Sequence, residues 1–146
     1  MTEPHQTCRR GGCLCGSVRY TVATEPKWTA LCHCESCRRA ASSPVVAWMG
    51  FETEQVGWAG ERRFFQSSEI ATRSFCATCG SPMSFESTRW PGEIHLYGAS
   101  LDAPETFVPQ LHCHCDEHLE WLKLSDDLPR FAATAEPDAG AETDPS

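Results

Sequence analysis

The segment CHCESC at residues 32–37 places three cysteines within six residues. Cys32 and Cys34 are separated by one residue, so on an extended backbone both sulfurs point to the same side, and Cys37 follows three residues later. Three thiolates are one donor fewer than a structural zinc ion normally takes from a protein. A three-thiolate set with one exchangeable position is typical of a catalytic zinc, so these three cysteines are candidate catalytic residues.

Four further cysteines form two pairs, and each pair is directly followed by a glycine. Cys13 and Cys15 are separated by one residue, whereas Cys76 and Cys79 are separated by two. Glycine permits the tight backbone turn that a metal-binding knuckle needs. Joining the two pairs gives four thiolates around one structural zinc, which would stabilise the fold by holding distant segments together. The spacing also permits Cys76 and Cys79 to join the central cluster instead.

A further concentration of soft metal ligands is the segment HCHC at residues 112–115. One of these residues could complete the shell of the central cluster, and that site would then be structural rather than catalytic. The alternating pattern of a strand favours a different interpretation, in which Cys113 and Cys115 face the core and His112 and His114 face water. His33 is expected to point away from the metal, because it alternates with two ligands.

The ten cysteines in 146 residues could form disulfides or metal-thiolate sites, and the choice depends on the compartment. The N-terminal residues contain no apolar segment of a secretory signal. No later run approaches the ~18 apolar residues that a membrane span requires. We therefore predict a reduced, cytoplasmic protein without a membrane partner, which binds two zinc ions per chain.

The formal net charge is −8, and the acidic excess lies in the C-terminal part. Ten Lys and Arg face nine Asp and Glu up to Leu101, whereas two face eleven from Asp102 onward. Because the basic residues do not cluster, nucleic acid is not an expected partner. Arg38 and Arg39, next to the central cluster, are candidates for holding a ligand carboxylate, and Trp48 is a candidate pocket wall.

The apolar pattern between residues 11 and 131 is that of β-strands. Residues 17–22 alternate apolar and polar side chains, whereas residues 45–51 form an apolar run suited to a strand covered on both faces. Short helical turns are predicted over residues 35–41 and near residues 102–106. Shorter strands are predicted at residues 64–65, 73–75, 83–85, 94–96 and 121–124.

Polar segments flank this region on both sides. Residues 1–10 predict a disordered leader, and residues 132–146, which lack aromatic and aliphatic anchors, predict an acidic disordered tail. The chain is thus predicted to form a single, mainly β domain over residues 11–131.

Several motifs, taken in order along the chain, resemble the glutathione-dependent formaldehyde-activating enzyme family, which includes centromere-protein-V relatives. They are GCLCG (12–16), CHCESCRR (32–39), RSFCATCGS (73–81), ASLD (99–102) and LPRF (128–131). The resemblance implies antiparallel sheets of the β-tent type, stapled by zinc. It also implies a structural zinc at Cys13, Cys15, Cys76 and Cys79 and a second, catalytic zinc at Cys32, Cys34 and Cys37.

The resemblance further implies a carbon-sulfur lyase, which joins a small glutathione-like thiol and a small formaldehyde-like aldehyde as an S-hydroxymethyl adduct. The alternative is a non-catalytic zinc-binding module that binds a thiol or a protein partner. The sequence departs from the family in two places. Ser42 stands near a position where the family usually has glycine, and Cys113 and Cys115 stand where it typically has apolar residues.

Overall fold

The structure, a computed structural model, describes residues 8–135, which form ten β-strands and one α-helix. The elements are β1 (Arg9–Gly12), β2 (Arg19–Val22), β3 (Trp28–Cys32), α1 (Glu35–Ala41), β4 (Val46–Glu52), β5 (Val56–Ala59), β6 (Arg62–Gln66), β7 (Ala71–Cys76), β8 (Pro82–Ser87), β9 (Glu93–Tyr97) and β10 (His112–Cys113).

The strands form two sheets. A three-stranded sheet has the order β1-β2-β5, and a seven-stranded sheet has the order β10-β3-β4-β9-β8-β7-β6. All pairings between named strands are antiparallel except that of β10 with β3, which is parallel. The mainly β fold predicted from the sequence is confirmed. Helix α1 has seven residues, and no helix among residues 8–135 is long and apolar enough to cross a membrane.

The main hydrophobic core lies between the two sheets. Tyr20 and Val22 of β2 pack there with Met49 and Phe51 of β4 and with Leu96 of β9, and all five side chains are almost fully buried. Burying a side chain of this size contributes roughly 1.5–3 kcal/mol, so this layer is a main source of the stability of the fold.

The opposite face of the seven-stranded sheet carries a row of side chains that crosses five strands. The register places Trp28, Gly50, His95, Phe85 and Arg73 directly opposite one another on β3, β4, β9, β8 and β7. A Cβ atom at Gly50 would collide with the Trp28 indole, so glycine allows that ring to lie across β4. This row forms one side of the candidate site.

Helix α1 confirms the helical turn predicted over residues 35–41. It begins after Cys34, whose sulfur accepts a hydrogen bond from the backbone N–H of Cys37 at 3.2 Å. The helix ends at Ser42, which has left-handed backbone angles (φ 50°, ψ 46°). Such angles favour glycine. The glycine usual near this position in the family that the sequence resembles therefore has a geometric reason, and this chain has serine there.

One element differs from the sequence prediction. Residues 121–124 form no strand, and Trp121 is 69% exposed. The chain over residues 124–128 is held instead by the guanidinium of Arg130, which donates to the backbone oxygens of Leu124, Asp126 and Leu128. The helical turn predicted near residues 102–106 is present as a 3₁₀ turn over Pro104–Thr106.

The boundaries of the packed region also differ from those expected. Strand β1 begins at Arg9, and the carbonyl of Ala133 accepts a hydrogen bond from the backbone N–H of His114 at 2.8 Å. The described chain is therefore packed on both sides of residues 11–131. The rest of the predicted leader and tail, residues 1–7 and 136–146, lies outside the described residues.

Candidate functional site

The first cysteine cluster consists of Cys13, Cys15, Cys76 and Cys79, whose sulfurs lie within 4.8 Å of one another. The sulfurs of Cys13 and Cys15 are 3.6 Å apart, and those of Cys15 and Cys76 are 3.8 Å apart. Two sulfurs bound at ~2.3 Å to one tetrahedral zinc would be about 3.8 Å apart. The donors and their spacing therefore fit a structural zinc.

Hydrogen bonds favour the thiolate form in part of this cluster. Ser81 lowers the pKa of Cys79 to about 5, and Ser17 lowers the pKa of Cys76 to about 7. The hydrogen bond from Ser17 also acts to lower the pKa of Cys15, but burial and the neighbouring thiols outweigh it, so that this pKa is raised. The lowered pKa values of Cys76 and Cys79 favour the thiolate, which is the form that binds metal.

The second cluster consists of Cys32, Cys34 and Cys37, whose sulfurs also lie within 4.8 Å of one another and are buried. Cys32 ends β3, and the other two belong to the first turn of α1. The hydrogen bond with Cys32 raises the pKa of Cys37 to about 12, with a further contribution from burial. For Cys34 the contact with Cys32 lowers the pKa, but Cys37 and burial outweigh it, and the result is about 12. These thiols need a cation to become thiolates.

The described residues offer one such cation from the protein itself at this cluster. Arg73 of β7 is 7% exposed, and its Nη2 donates to the sulfur of Cys37 at 3.8 Å. The guanidinium also lies 4.8 Å from the ring centroid of Phe85. Its Nη1 is buried and has no hydrogen-bond partner among the described residues. Arg73 therefore places positive charge behind the three sulfurs, which favours their thiolate form.

Cys113 and His114 approach the second cluster from the other side. Their ligand atoms and the sulfur of Cys32 lie within 4.8 Å of one another, so Cys32 belongs to two possible donor sets. The hydrogen bond with Cys113 is the largest cause that raises the pKa of Cys32 well above its usual value. The expectation that the histidines of this segment face water is wrong. His112 and His114 are only 1% and 9% exposed, because β10 is covered by the chain segment that follows it.

His33 and His112 form a buried pair next to the second cluster. Nε2 of His33 lies 2.8 Å from Nδ1 of His112, whose own Nε2 lies 3.0 Å from a carboxylate oxygen of Asp126. The carboxylate can only accept, so Nε2 of His112 carries a hydrogen and its Nδ1 accepts from His33. Burial lowers the pKa of His33 to about 4. His33 is thus a neutral, packed residue, and it belongs to none of the possible donor sets among the described residues.

A cavity of about 230 Å³ adjoins the second cluster. Cys32, Cys34 and Cys37 all line it, together with Cys113 and His114. The remaining walls are mainly aromatic and include Trp28, Trp48, Phe85, Trp90 and His95. The site thus combines soft metal ligands at one side with apolar surface at the other.

His95 is the centre of the aromatic wall. Its ring centroid lies 4.6 Å from that of Trp28 and 5.3 Å from those of Phe85 and Trp90. Its Nε2 lies 3.0 Å from a carboxylate oxygen of Glu93. Burial opposes ionisation of Glu93, but the hydrogen bonds from His95 and Trp28 outweigh it and lower the pKa of this carboxyl. The carboxylate therefore fixes a hydrogen on Nε2 and leaves the lone pair on Nδ1 of His95.

Of the other candidate residues, one lies at the cavity and two lie away from it. Trp48 lines the cavity, as predicted. Arg38 donates to the backbone oxygens of His33 and Glu117, and Arg39 pairs with Glu35 on the exposed side of α1. Neither arginine lines the cavity, so a role in holding a ligand carboxylate gains no support from their positions.

Sequence reasoning missed Arg73, Phe85 and Glu93. The available signal was the alternation of Trp28, Ala30 and Cys32 along one strand, which indicates a shared face. It does not indicate which residues of other strands lie opposite, because the register depends on pairing between distant segments.

Comparison with known proteins identifies the family of this chain. The family described as glutathione-dependent formaldehyde-activating enzyme matches residues 8–117, which include both cysteine clusters and β10. The chain belongs to this family. An uncharacterized lyase of Schizosaccharomyces pombe is 33% identical over 78 residues, which cover 53% of this chain and 57% of that protein. A putative glutathione-dependent formaldehyde-activating enzyme of Halomonas elongata is 25% identical over 124 residues, which cover 78% of this chain and 79% of that protein.

A Rhodobacter sphaeroides protein with a crystal structure has the same fold as this chain. Its TM-score is 0.53 at 22% sequence identity, and the match covers 68% of this chain and 97% of that chain. At this identity the likeness shows the fold alone. The chain spans a little over half the length of the fission yeast lyase.

Proposed function

We propose that this protein is a zinc-dependent enzyme of the carbon-sulfur lyase type, which joins a small thiol and a small aldehyde as an S-hydroxymethyl adduct. One observation carries the proposal: the three sulfurs of the second cluster lie together and line a cavity. The names of the relatives, a lyase and a glutathione-dependent formaldehyde-activating enzyme, support the same chemistry. Glutathione and formaldehyde are accordingly the reference substrates.

Cys13, Cys15, Cys76 and Cys79 would hold a structural zinc, and Cys32, Cys34 and Cys37 a second zinc. When bound there, zinc lowers the pKa of an incoming thiol and polarises a carbonyl oxygen. Thiolates need a reducing compartment, so the proposal places the protein in the cytoplasm.

The protein's own residues would orient the reactants and move one proton. The reaction forms a bond between the thiol sulfur and the carbonyl carbon, the π electrons of the carbonyl pass to oxygen, and the S–H proton ends on that oxygen. Nδ1 of His95 has the lone pair needed to accept this proton and to return it. Glu93 holds the imidazole in that tautomer, and Trp28 in turn donates a hydrogen bond to Glu93. The aromatic walls exclude water that would compete for the aldehyde.

The direct test measures the rate of adduct formation by zinc-loaded protein. NMR of the S-hydroxymethyl group monitors the product, and the rate is compared with that of the spontaneous reaction. We expect wild type to accelerate the reaction and Cys34→Ser to abolish the acceleration, because the second cluster loses a donor. Cys8→Ser is the matched control, since Cys8 is exposed and outside both clusters. His95→Gln should retain the bound zinc and lower the rate by about 10²-fold or more, the usual contribution of a general base.

Equal rates for wild type, Cys34→Ser and buffer alone would contradict the proposal. A zinc count on each variant separates loss of metal from loss of chemistry.

The second candidate function is a non-catalytic zinc module that binds a thiol or a protein partner. The position of Cys113 and His114 beside Cys32 favours it, because either residue could close the shell of the second zinc. This alternative predicts that a Cys113→Ser/His114→Gln double variant loses the second zinc. The enzyme hypothesis predicts that the same variant keeps two zinc ions per chain.

A further inference from the structure

The cavity beside the second cluster has a distinct chemical character. Among its described lining residues there is no Lys or Arg. The acidic residue in its wall, Glu93, already has partners on both oxygens. Oε1 accepts from Trp28 at 3.1 Å and pairs with Lys27 at 3.3 Å, and Oε2 lies 3.0 Å from His95. The aromatic side of the cavity therefore presents no unpaired charge to a ligand.

Such a wall disfavours a charged ligand. A carboxylate placed against Trp48, Phe85 and Trp90 would lose its water without gaining a cationic partner, which is costly. Arg73 is close, but its charge faces Cys37, and it does not line the cavity. The ligand portion that enters here is consequently uncharged.

The size and ring arrangement favour an aromatic group. An apolar cavity of about 150 Å³ is large enough to hold benzene. The cavity here, at about 230 Å³, leaves room for a ring that carries a small polar substituent. Aromatic pairs gain stability when ring centroids lie about 4.5–7 Å apart in tilted or edge-to-face arrangements. The wall rings already pack among themselves in this way, at 5.9 Å between Trp48 and Phe85.

We infer that this cavity binds an aromatic carbonyl compound, with the ring against Trp48, Phe85 and Trp90 and the carbonyl toward the three sulfurs. The inference rests on the proposed function for the reacting group and adds the substrate class. The adduct then forms from an aromatic aldehyde, Ar–CHO, and a thiol, R–SH, to give Ar–CH(OH)–SR without any net oxidation. Charged groups of the thiol stay outside the aromatic side.

The test is binding by zinc-loaded full-length protein, measured by isothermal titration calorimetry and by quenching of tryptophan fluorescence. The probes are benzaldehyde, propanal, formaldehyde and 4-carboxybenzaldehyde. We expect benzaldehyde to bind at least tenfold more tightly than propanal or formaldehyde. The carboxylate of 4-carboxybenzaldehyde should weaken binding by at least tenfold, because it meets the uncharged wall.

Substitutions of single tryptophans test whether benzaldehyde binds in this cavity. Trp90→Leu should weaken benzaldehyde binding about tenfold, whereas Trp90→Phe keeps a ring and should stay within about threefold. Trp121→Leu is the matched control, since Trp121 is exposed and does not line the cavity. Circular dichroism of each variant checks the fold.

The inference is overturned if benzaldehyde binds no more tightly than propanal, or if Trp90→Leu and Trp121→Leu bind it equally. It is also overturned if the carboxylate has no effect. Cys34-dependent adduct formation from formaldehyde would still support the proposed function in each of these cases. Tight benzaldehyde binding without acceleration of any thiol adduct would have the opposite meaning, because it supports the ligand class and overturns the proposed function.

Discussion

At the residue scale, Arg73 is a buried cation next to a group of thiols. Three thiolates around a divalent ion leave a net negative charge, and the guanidinium offsets it through the hydrogen bond to Cys37. Burial acts to lower the pKa of Arg73, but the neighbouring Cys37 outweighs it and raises this pKa. In the proposed metal site, Arg73 would therefore act through Cys37 rather than by contact with substrate.

Arg73→Met is expected to weaken zinc binding at the second cluster by roughly 10–100-fold, the usual effect of losing a partner of a metal ligand. Competition with a chromogenic chelator would measure the change. Arg63→Met on the exposed face of β6 is the matched control, and Arg73→Lys should restore part of the affinity because it keeps the charge. If Arg73→Met binds two zinc ions as tightly as Arg63→Met does, Arg73 has no role in holding the metal.

At the element scale, β10 depends on the segment that follows it. This two-residue strand pairs in parallel with β3, and parallel pairing over two residues is weak by itself. The backbone N–H groups of His112 and His114 donate to the carbonyls of Pro129 and Ala133. Asp126 adds a hydrogen bond to the His112 ring. Together these contacts hold Cys113 beside Cys32.

Asp126→Asn is expected to lower the thermal unfolding midpoint and to increase amide hydrogen exchange at His112 and His114. The physical reason is that a neutral amide is a weaker acceptor than the carboxylate that faces the His112 ring. Asp127→Asn is the matched control, since Asp127 is also exposed. Identical exchange at these two amides in both variants would show that the carboxylate does not anchor β10.

At the scale of the whole molecule, the two cysteine clusters connect different parts of the fold. The first cluster joins the loop after β1 to the end of β7, and thus links the two sheets. The second cluster joins the end of β3 to α1 beside the cavity. The first arrangement suits a structural role, whereas the buried sulfurs of the second line the cavity.

If both clusters hold zinc, as proposed, acid should remove the two ions in sequence. Protons compete more strongly for the second cluster, where the pKa values of Cys34 and Cys37 are raised to about 12, than for Cys76 and Cys79, at about 7 and 5. As pH falls from 8, we expect zinc per chain to drop from two to one and only later to zero. Zinc counts after dialysis at each pH would show this order. The Cys34→Ser variant should show the later step alone, and a single step shared by both proteins would contradict the assignment.

Local features of this protein could be predicted from its sequence. The cysteine spacing predicted two pairs, Cys13 with Cys15 and Cys76 with Cys79, and the group of three at residues 32–37, because residues one to three positions apart meet through local backbone geometry. It left open whether Cys76 and Cys79 join the first pair or the group of three. The alternation of apolar residues predicted a mainly β domain, and the turn over residues 35–41 needed only local signals.

Which distant residues share the cavity depends on long-range strand pairing. Periodicity assigns a side chain to a face of a strand, but it does not say which strand lies next or in which register. Trp28, Phe85 and His95 meet because antiparallel pairing aligns β3, β4, β9 and β8. Cys113 reaches Cys32 because β10 returns in parallel to β3, across a separation in sequence that no local pattern records.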